Sequence, residues 1–300
     1  MNKWVKGSSL CLAALALAGI ATLYVGQALG ERKMARIIKV TPSPVTLVAD
    51  TAHIERGRYL FGTRGCATCH GASGGGGPVI ESEHMLVVSP NITRGANSAT
   101  LGYETLDWVR TLRHGVKPDG RPVMIMPSED YARLTDDDVA SIIAYIQQMP
   151  AVAGRNALVR LPLTVKVKYA FGAMRDAAEI IDHSLPPSAP LAAAVTAEHG
   201  AYVAQSCIGC HGAHMSGGPI PGAPAEWPDP ANLTPGAGSA MQRYPTPEAF
   251  MAMLRSGQRP DGTPISPLMP YESLRDMTET DVRALHAYLL TLPPRATGGR

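Results

Sequence analysis

Cys66-Ala67-Thr68-Cys69-His70-Gly71 and Cys207-Ile208-Gly209-Cys210-His211-Gly212 follow one plan, written twice 141 positions apart. Working outward, Pro78 matches Pro219, and Asn91-Ile92-Thr93 matches Asn232-Leu233-Thr234, at the same spacing. Pro118-Asp119-Gly120 then matches Pro260-Asp261-Gly262 at 142, and Met126-Pro127 matches Met269-Pro270 at 143. Thr135 with Ala144-Tyr145, and Thr278 with Ala287-Tyr288, keep that last spacing. Two single-residue gaps in loops account for the drift. A repeat of this length means one domain, duplicated. The chain therefore divides into an apolar leader (1–30), a linker (31–50) and a first domain (51–150). A second linker with a possible helix (151–195) leads to a second domain (196–296).

Cys-x-x-Cys-His is the attachment signature of c-type haem. Two thiols add across the two vinyl groups, and the short spacer brings both sulfurs to one edge of the porphyrin. The histidine that follows lies under the iron as its proximal ligand. A redox dithiol does not need that histidine. A zinc site would need further ligands repeated in both copies, and His84, His114, His183, His214 and His286 have no counterparts. The reading is two covalently bound haem c groups, on Cys66, Cys69 and His70 and on Cys207, Cys210 and His211. Four of the five cysteines are thereby used, which leaves no disulfide framework.

The second axial ligand separates an electron carrier from a catalyst, because an iron closed by His and Met binds no small molecule. Met126 and Met269, each followed by proline at the same place in its copy, are the candidates. Met124 rivals Met126, but the aligned position of the second copy holds no methionine. Among supporting residues, the Pro78 and Pro219 carbonyls are candidates to accept the histidine Nδ1 proton, or the prolines simply stiffen loop corners. Asn91 and Asn232, each two residues before a threonine, either bond haem propionates or cap turns. Arg113 and Arg255 either pair with propionates or lie on solvated helix faces. Trp108 and Phe250 read as rings packed on haem, and Gly57 and Gly200 as points of close helix crossing near Tyr145 and Tyr288.

Both copies read as mostly helical. Short helices over 54–62 and 197–205 lead into the cysteines. Middle helices over 105–113 and 246–255 end at Gly115 and Gly257. Thr135 and Thr278 cap the final helices, with acids in the first turn where the helix dipole favours them. No stretch shows sustained strand alternation. Aromatics are scarce at 5%, while Gly (30) and Pro (26) are abundant, so the core of a loop-rich fold must gain bulk from another source. A macrocycle supplies it.

The N-terminus carries Lys3 and Lys6 before a charge-free run from Leu10 to Leu29. About twenty such residues span a hydrocarbon core, so the run is a membrane anchor, or else a secretory signal cut near Gly26 and Ala28. Its length favours retention. Cys11 reads as a small apolar residue of the helix. Arg32, Lys33, Arg36 and Lys39 follow the run and leave its orientation open by charge alone. Haem attachment decides, because apocytochrome receives haem outside the inner membrane; the domains belong in the periplasm and the anchor in the cytoplasmic membrane. Beyond residue 49 the chain holds 21 basic and 24 acidic residues, and no basic stripe for nucleic acid. Lys166, Lys168 and Arg175 in the second linker either meet lipid headgroups or belong to a strap packed across the two domains.

These motifs resemble class I cytochrome c domains: helix, Cys-x-x-Cys-His, Gly-Pro loop, middle helix, Met-Pro loop and final helix with Ala-Tyr. Asn-Ile-Thr, Arg113-His114-Gly115-Val116, Asp119-Gly120, Met126-Pro127 and Leu134-Thr135-Asp136-Asp137-Asp138-Val139 resemble the cytochrome subunits of periplasmic alcohol, aldehyde and gluconate dehydrogenases. Trp227-Pro228 and Asn232-Leu233-Thr234 fit the same group. Such subunits commonly carry three haem motifs; this chain has two. The resemblance implies an all-α fold of two tandem class I cytochrome c domains behind an N-terminal transmembrane helix. It implies single-electron transfer into a respiratory chain with redox protein partners: a dehydrogenase subunit, a soluble cytochrome or an oxidase. A terminal-oxidase cytochrome subunit is the alternative. A dihaem enzyme such as a peroxidase fits less well, since it needs an iron that opens and each copy offers a Met-Pro.

Overall fold

The computed structural model describes residues 3–221, 223 and 226–299, with side chains from residue 12 onward. The side chains of Lys3, Lys6, Leu10 and Cys11 lie outside the described residues. Helix α1 (Lys3–Met34) contains Leu12–Met34, which is long and apolar enough to cross a membrane. The first domain is helical: α2 (Thr51–Thr63), α3 (Cys66–His70), α4 (Thr105–His114) and α5 (Asp136–Gln148). A 3₁₀ turn, Ser128–Asp130, follows Met126-Pro127. After α6 (Leu163–Ala170) and α7 (Ala177–Ile180), the second domain repeats the plan. Its helices are α8 (Ala197–Val203), α9 (Ile208–His211), α10 (Pro247–Ser256), α11 (Tyr271–Leu274) and α12 (Glu279–Thr291).

Helix ends fall where local chemistry puts them. Thr135 and Thr278 accept from the backbone N–H of Asp138 and Asp281. Gly115 and Gly257 close α4 and α10 in the left-handed conformation. First and last helices of each domain cross backbone to backbone. A Cβ on Gly57 would lie 1.9 Å from the Ser141 carbonyl oxygen, and one on Gly200 would lie 2.0 Å from that of Ala284. Nine positions separate Gly57 from Cys66 but only seven separate Gly200 from Cys207. The shorter segment is tightened into a 3₁₀ turn, Ala204–Cys207, whose larger rise per residue covers the distance with fewer residues.

One small sheet departs from the all-helical expectation. Strands β1 (Gly77–Glu81), β2 (Leu86–Ser89) and β3 (Leu158–Arg160) pair antiparallel in that order. β-Branched Val79, Ile80, Val87, Val88 and Val159 suit it, but strands this short leave no readable alternation. The corresponding stretch of the second domain runs Pro219, Pro221, Pro224, Pro228, Pro230. Proline cannot donate to a ladder, which accounts for the lack of a strand among the described residues of that stretch.

The two domains meet across a reciprocal seam. Tyr59 on α2 donates its hydroxyl to Asp281 Oδ2 at 2.6 Å and accepts from the Thr278 N–H at 3.1 Å. Tyr202, its counterpart on α8, donates to Asp138 Oδ2 and accepts from the Thr135 N–H at 3.2 Å. Within its own domain each aspartate meets a different base. Arg56 binds Asp138 through Nε at 2.7 Å and a second nitrogen at 2.8 Å, while the His199 ring lies 2.7 Å from Asp281. Burial opposes the charge on Asp281, yet the Tyr59 hydroxyl and His199 hold its carboxyl below the ordinary range. Arg64 adds two bonds, to the Val203 carbonyl at 2.7 Å and to Ser206 at 2.9 Å.

The segment 151–195 lies differently from a strap across both domains. Its helices clamp α1 to the first domain. Gly26 and Gly30 of α1 are buried against α6, and Arg36 forks onto Asp176 Oδ2 and Oδ1 at 2.7 and 3.0 Å. Lys33 pairs with Glu179 at 2.9 Å. Farther along, the Ser188 N–H bonds the Arg133 carbonyl of the same domain at 3.2 Å.

Candidate haem centres

Cys66–His70 forms one short turn of helix, α3, while in the second copy Cys207 ends the 3₁₀ turn and Ile208–His211 forms α9; each is closed by a glycine at positive φ, Gly71 or Gly212. The carbonyl that faces the histidine is not that of Pro78 or Pro219. His70 Nδ1 lies 2.9 Å from the Pro90 oxygen, and His211 Nδ1 lies 2.7 Å from the Ala231 oxygen. A carbonyl only accepts, so Nδ1 carries the proton and Nε2 keeps the lone pair a metal needs. Both acceptors sit twenty residues beyond their histidine and directly before the Asn of Asn-x-Thr. Pro78 and Pro219 are exposed, Pro78 within β1.

Glycine explains how the acceptor reaches the ring. Gly76 and Gly217 have φ of +74° and +65°, and their N–H groups bond back to the His70 and His211 carbonyls at 2.9 Å. A Cβ on Gly76 would lie 2.3 Å from the Ser89 oxygen, and one on Gly217 would lie 2.2 Å from the Pro230 oxygen. Only glycine lets the loop and the acceptor segment approach so closely. Asn91 then locks that segment. Its Oδ1 accepts from the Thr93 N–H and hydroxyl, both at 2.8 Å, and its amide donates to the Ala96 and Val152 carbonyls. Asn232 repeats the bonds to Thr234 and donates to the Arg295 carbonyl at 2.8 Å. Of the two readings of these asparagines, the structure shows the turn cap; the Asn91 amide has both protons engaged within the protein.

The remaining sequence candidates fall into place around two apolar clusters. Met126 packs on the cluster that contains Cys66, Phe61, Trp108 and Leu134. Met269 packs, with Cys207, on the cluster around Phe250, Leu254 and Val282. Met124 borders neither. Trp108 meets Tyr103 edge-on at 5.3 Å and 69°, and Phe250 meets Tyr244 at 5.8 Å and 67°. Arg113 is buried on Asp136 at 2.6 Å and the Leu134 carbonyl at 2.9 Å, while Arg255 is exposed. Arg113 thus holds the start of α5, a role neither sequence reading assigned.

The thiols do not suit the rival chemistries. Burial pushes the Cys66 thiol up to about 12 and that of Cys207 up to about 11. A redox dithiol needs the opposite shift. Among the described residues, no group of three or more His, Cys, Asp and Glu side chains is placed to hold a metal ion. In each domain the first attachment cysteine and the Met-Pro thioether border one apolar cluster, beside a histidine whose Nδ1 proton is held by a carbonyl. That donor set fits haem c.

The structure also sets the two attachment turns against the opposite domains. The Thr68 hydroxyl lies 2.7 Å from that of Ser273 on α11, just after Met269-Pro270. In the counterpart contact, Asp130, just after Met126-Pro127, faces Gly209. Burial, then Glu129, pushes the Asp130 carboxyl up to about 8. Sequence reading missed both contacts, although Thr68 and Gly209, and Asp130 and Ser273, are equivalent positions of the repeat.

Two helical domains, each with a Cys-x-x-Cys-His turn, an oriented histidine and a methionine packed on the core, define a tandem c-type haem protein. The cytochrome c family model matches residues 54–150 and 197–293, and the chain belongs to that family. It carries two covalently bound haem c groups. It is 27% identical to the fructose dehydrogenase cytochrome subunit of Gluconobacter japonicus over 288 residues, 86% of this chain and 56% of that one. It is 32% identical to the alcohol dehydrogenase (quinone) cytochrome c subunit of Gluconobacter oxydans over 133 residues, 42% of this chain and 28% of that one. A diheme cytochrome c-type protein of Cereibacter sphaeroides is 29% identical over 143 residues, 44% of this chain and 47% of that one. The chain spans about half the length, or less, of these relatives.

Proposed function

We propose that the protein is a membrane-anchored electron carrier that accepts single electrons from a periplasmic dehydrogenase and passes them toward the respiratory chain. It does no chemistry on a substrate. Cys66 and Cys69 attach one haem and Cys207 and Cys210 the other. His70 and Met126 close the first iron, and His211 and Met269 the second. A haem so closed supplies reversible one-electron chemistry at a raised potential. The observation that carries this reading is that both domains place a Met-Pro methionine and the attachment cysteine on one apolar cluster.

The residues of the chain do the rest. Pro90 and Ala231 orient the histidines, and the seam around Tyr59 and Tyr202 keeps the two domains in fixed register. The anchor is retained in this proposal. Cutting near Ala28 would discard Gly26, whose surface is filled by Val167 and Phe171. The haem domains then face the periplasm from the cytoplasmic membrane. Purification of the tagged full chain from native membranes in mild detergent tests the partner. A dehydrogenase subunit should co-purify, and its substrate should reduce both haems in the isolated complex. Recovery of oxidase subunits instead, with no reduction by dehydrogenase substrates, would overturn it.

A further inference from the structure

The linker helix α6 rests on the wrong part of α1 for a purely aqueous segment. Leu163, Val167 and Phe171 fall four residues apart and share one face. A Cβ on Gly26 would lie 2.9 Å from Val167 and 3.3 Å from Phe171. Gly30, one turn on, lies under the α6 backbone, where a Cβ would come 2.5 Å from the Lys166 carbonyl oxygen. Two small residues at this spacing let helices touch closely, as they do inside bilayers.

Gly26 lies inside the charge-free run, three residues before its end at Leu29. At 1.5 Å per residue that is about 5 Å below the last apolar residue. Phe171 touches α1 at that depth, and it is 60% exposed. Leu163 is 38% exposed, and on α1 Val25 and Leu29 are exposed at 54% and 41%. The exposed Phe171 thus lies against the part of α1 whose neighbouring apolar side chains are themselves exposed. Cations lie about it: Lys166 reaches Glu31 at 2.7 Å, while Arg32, Lys168 and Arg175 are exposed.

We propose that the end of α6 and Phe171 form a second membrane contact, with Phe171 sunk in the periplasmic leaflet and the cations among its headgroups. An interfacial helix sinks its apolar face about 5–10 Å, which is the depth at which Phe171 meets α1. Anionic headgroups favour the neighbouring cations. The second contact fixes the tilt of the haem domains over the bilayer, which a single helix followed by a free linker would not do. This rests on the retained anchor proposed above.

The test uses the full-length holoprotein in vesicles of phosphatidylethanolamine and phosphatidylglycerol, with a bilayer-partitioned diazirine photolabel and peptide mass spectrometry. Residues 12–29 should carry adducts, which tests the anchor by itself. Phe171 should be labelled several-fold above Trp227, an exposed ring of the second domain. Labelling of 12–29 with Phe171 no higher than Trp227 would overturn the second contact and leave the anchor standing. Absence of adducts on 12–29 and on Phe171 would overturn both.

Discussion

The Met269→His protein should keep a six-coordinate, low-spin second haem while the midpoint potential of that haem falls by roughly 0.2 V. Thioether sulfur is a soft, poor donor to ferric iron and so favours the ferrous state; imidazole reverses that preference. Such a fall is a sizeable part of the ~0.8 V range that axial ligands cover. Met126→His should do the same to the first haem alone, since each methionine borders the cluster of its own domain. Met124→Ala should leave both potentials unchanged. Spectroelectrochemical titration separates the two steps. An unchanged potential in Met269→His would remove that methionine from the coordination sphere.

The second large effect belongs to the seam. Asp138→Ala should lower the unfolding temperature of the holoprotein by roughly 5–10 °C, following a loss of about 2–3 kcal/mol. Asp138 is 4% exposed and takes both Arg56 bonds and the Tyr202 hydroxyl. Its removal strands a cation and a phenol. The figure stays below that for a fully buried pair because the Arg56 side chain is 30% exposed. Tyr202→Phe, which leaves the Arg56 pair intact, should cost less, about 1–2 kcal/mol. Because Tyr202 belongs to the other domain, both variants should also split a joint calorimetric transition into two. An unchanged melting curve for Asp138→Ala would show that the seam adds nothing to stability.

Local chemistry was readable wherever a short motif determines it. The haem-attachment turns, the caps at Thr135 and Thr278 and the tight crossings at Gly57 and Gly200 all depend on residues a few positions apart or on their recurrence. Partners chosen by tertiary packing were not. The carbonyl opposite His70 lies twenty residues away, and no backbone carbonyl advertises itself in a side-chain pattern; Pro78 drew attention only because it recurs. Pro90 does not recur, being Ala231 in the second copy, since only the backbone oxygen is used. Tyr59 and Tyr202 do recur, as do Asp138 and Asp281. Recurrence marked them as equivalent without showing that each tyrosine crosses to the other copy. The clamp of α6 on Gly26 and Gly30 lies in residues without a repeat, so comparison of the two copies was silent there.

The carrier role requires both irons to be closed by His and Met. Exposure of the dithionite-reduced parent protein to carbon monoxide tests it most directly, with the far-red spectrum of the oxidised form recorded beside it. Two closed centres predict an unchanged Soret band under carbon monoxide and a weak sulfur-to-iron charge-transfer band in the far red. Ready carbon monoxide binding at either haem, or a high-spin ferric signal, would mean an open iron and contradict the carrier assignment.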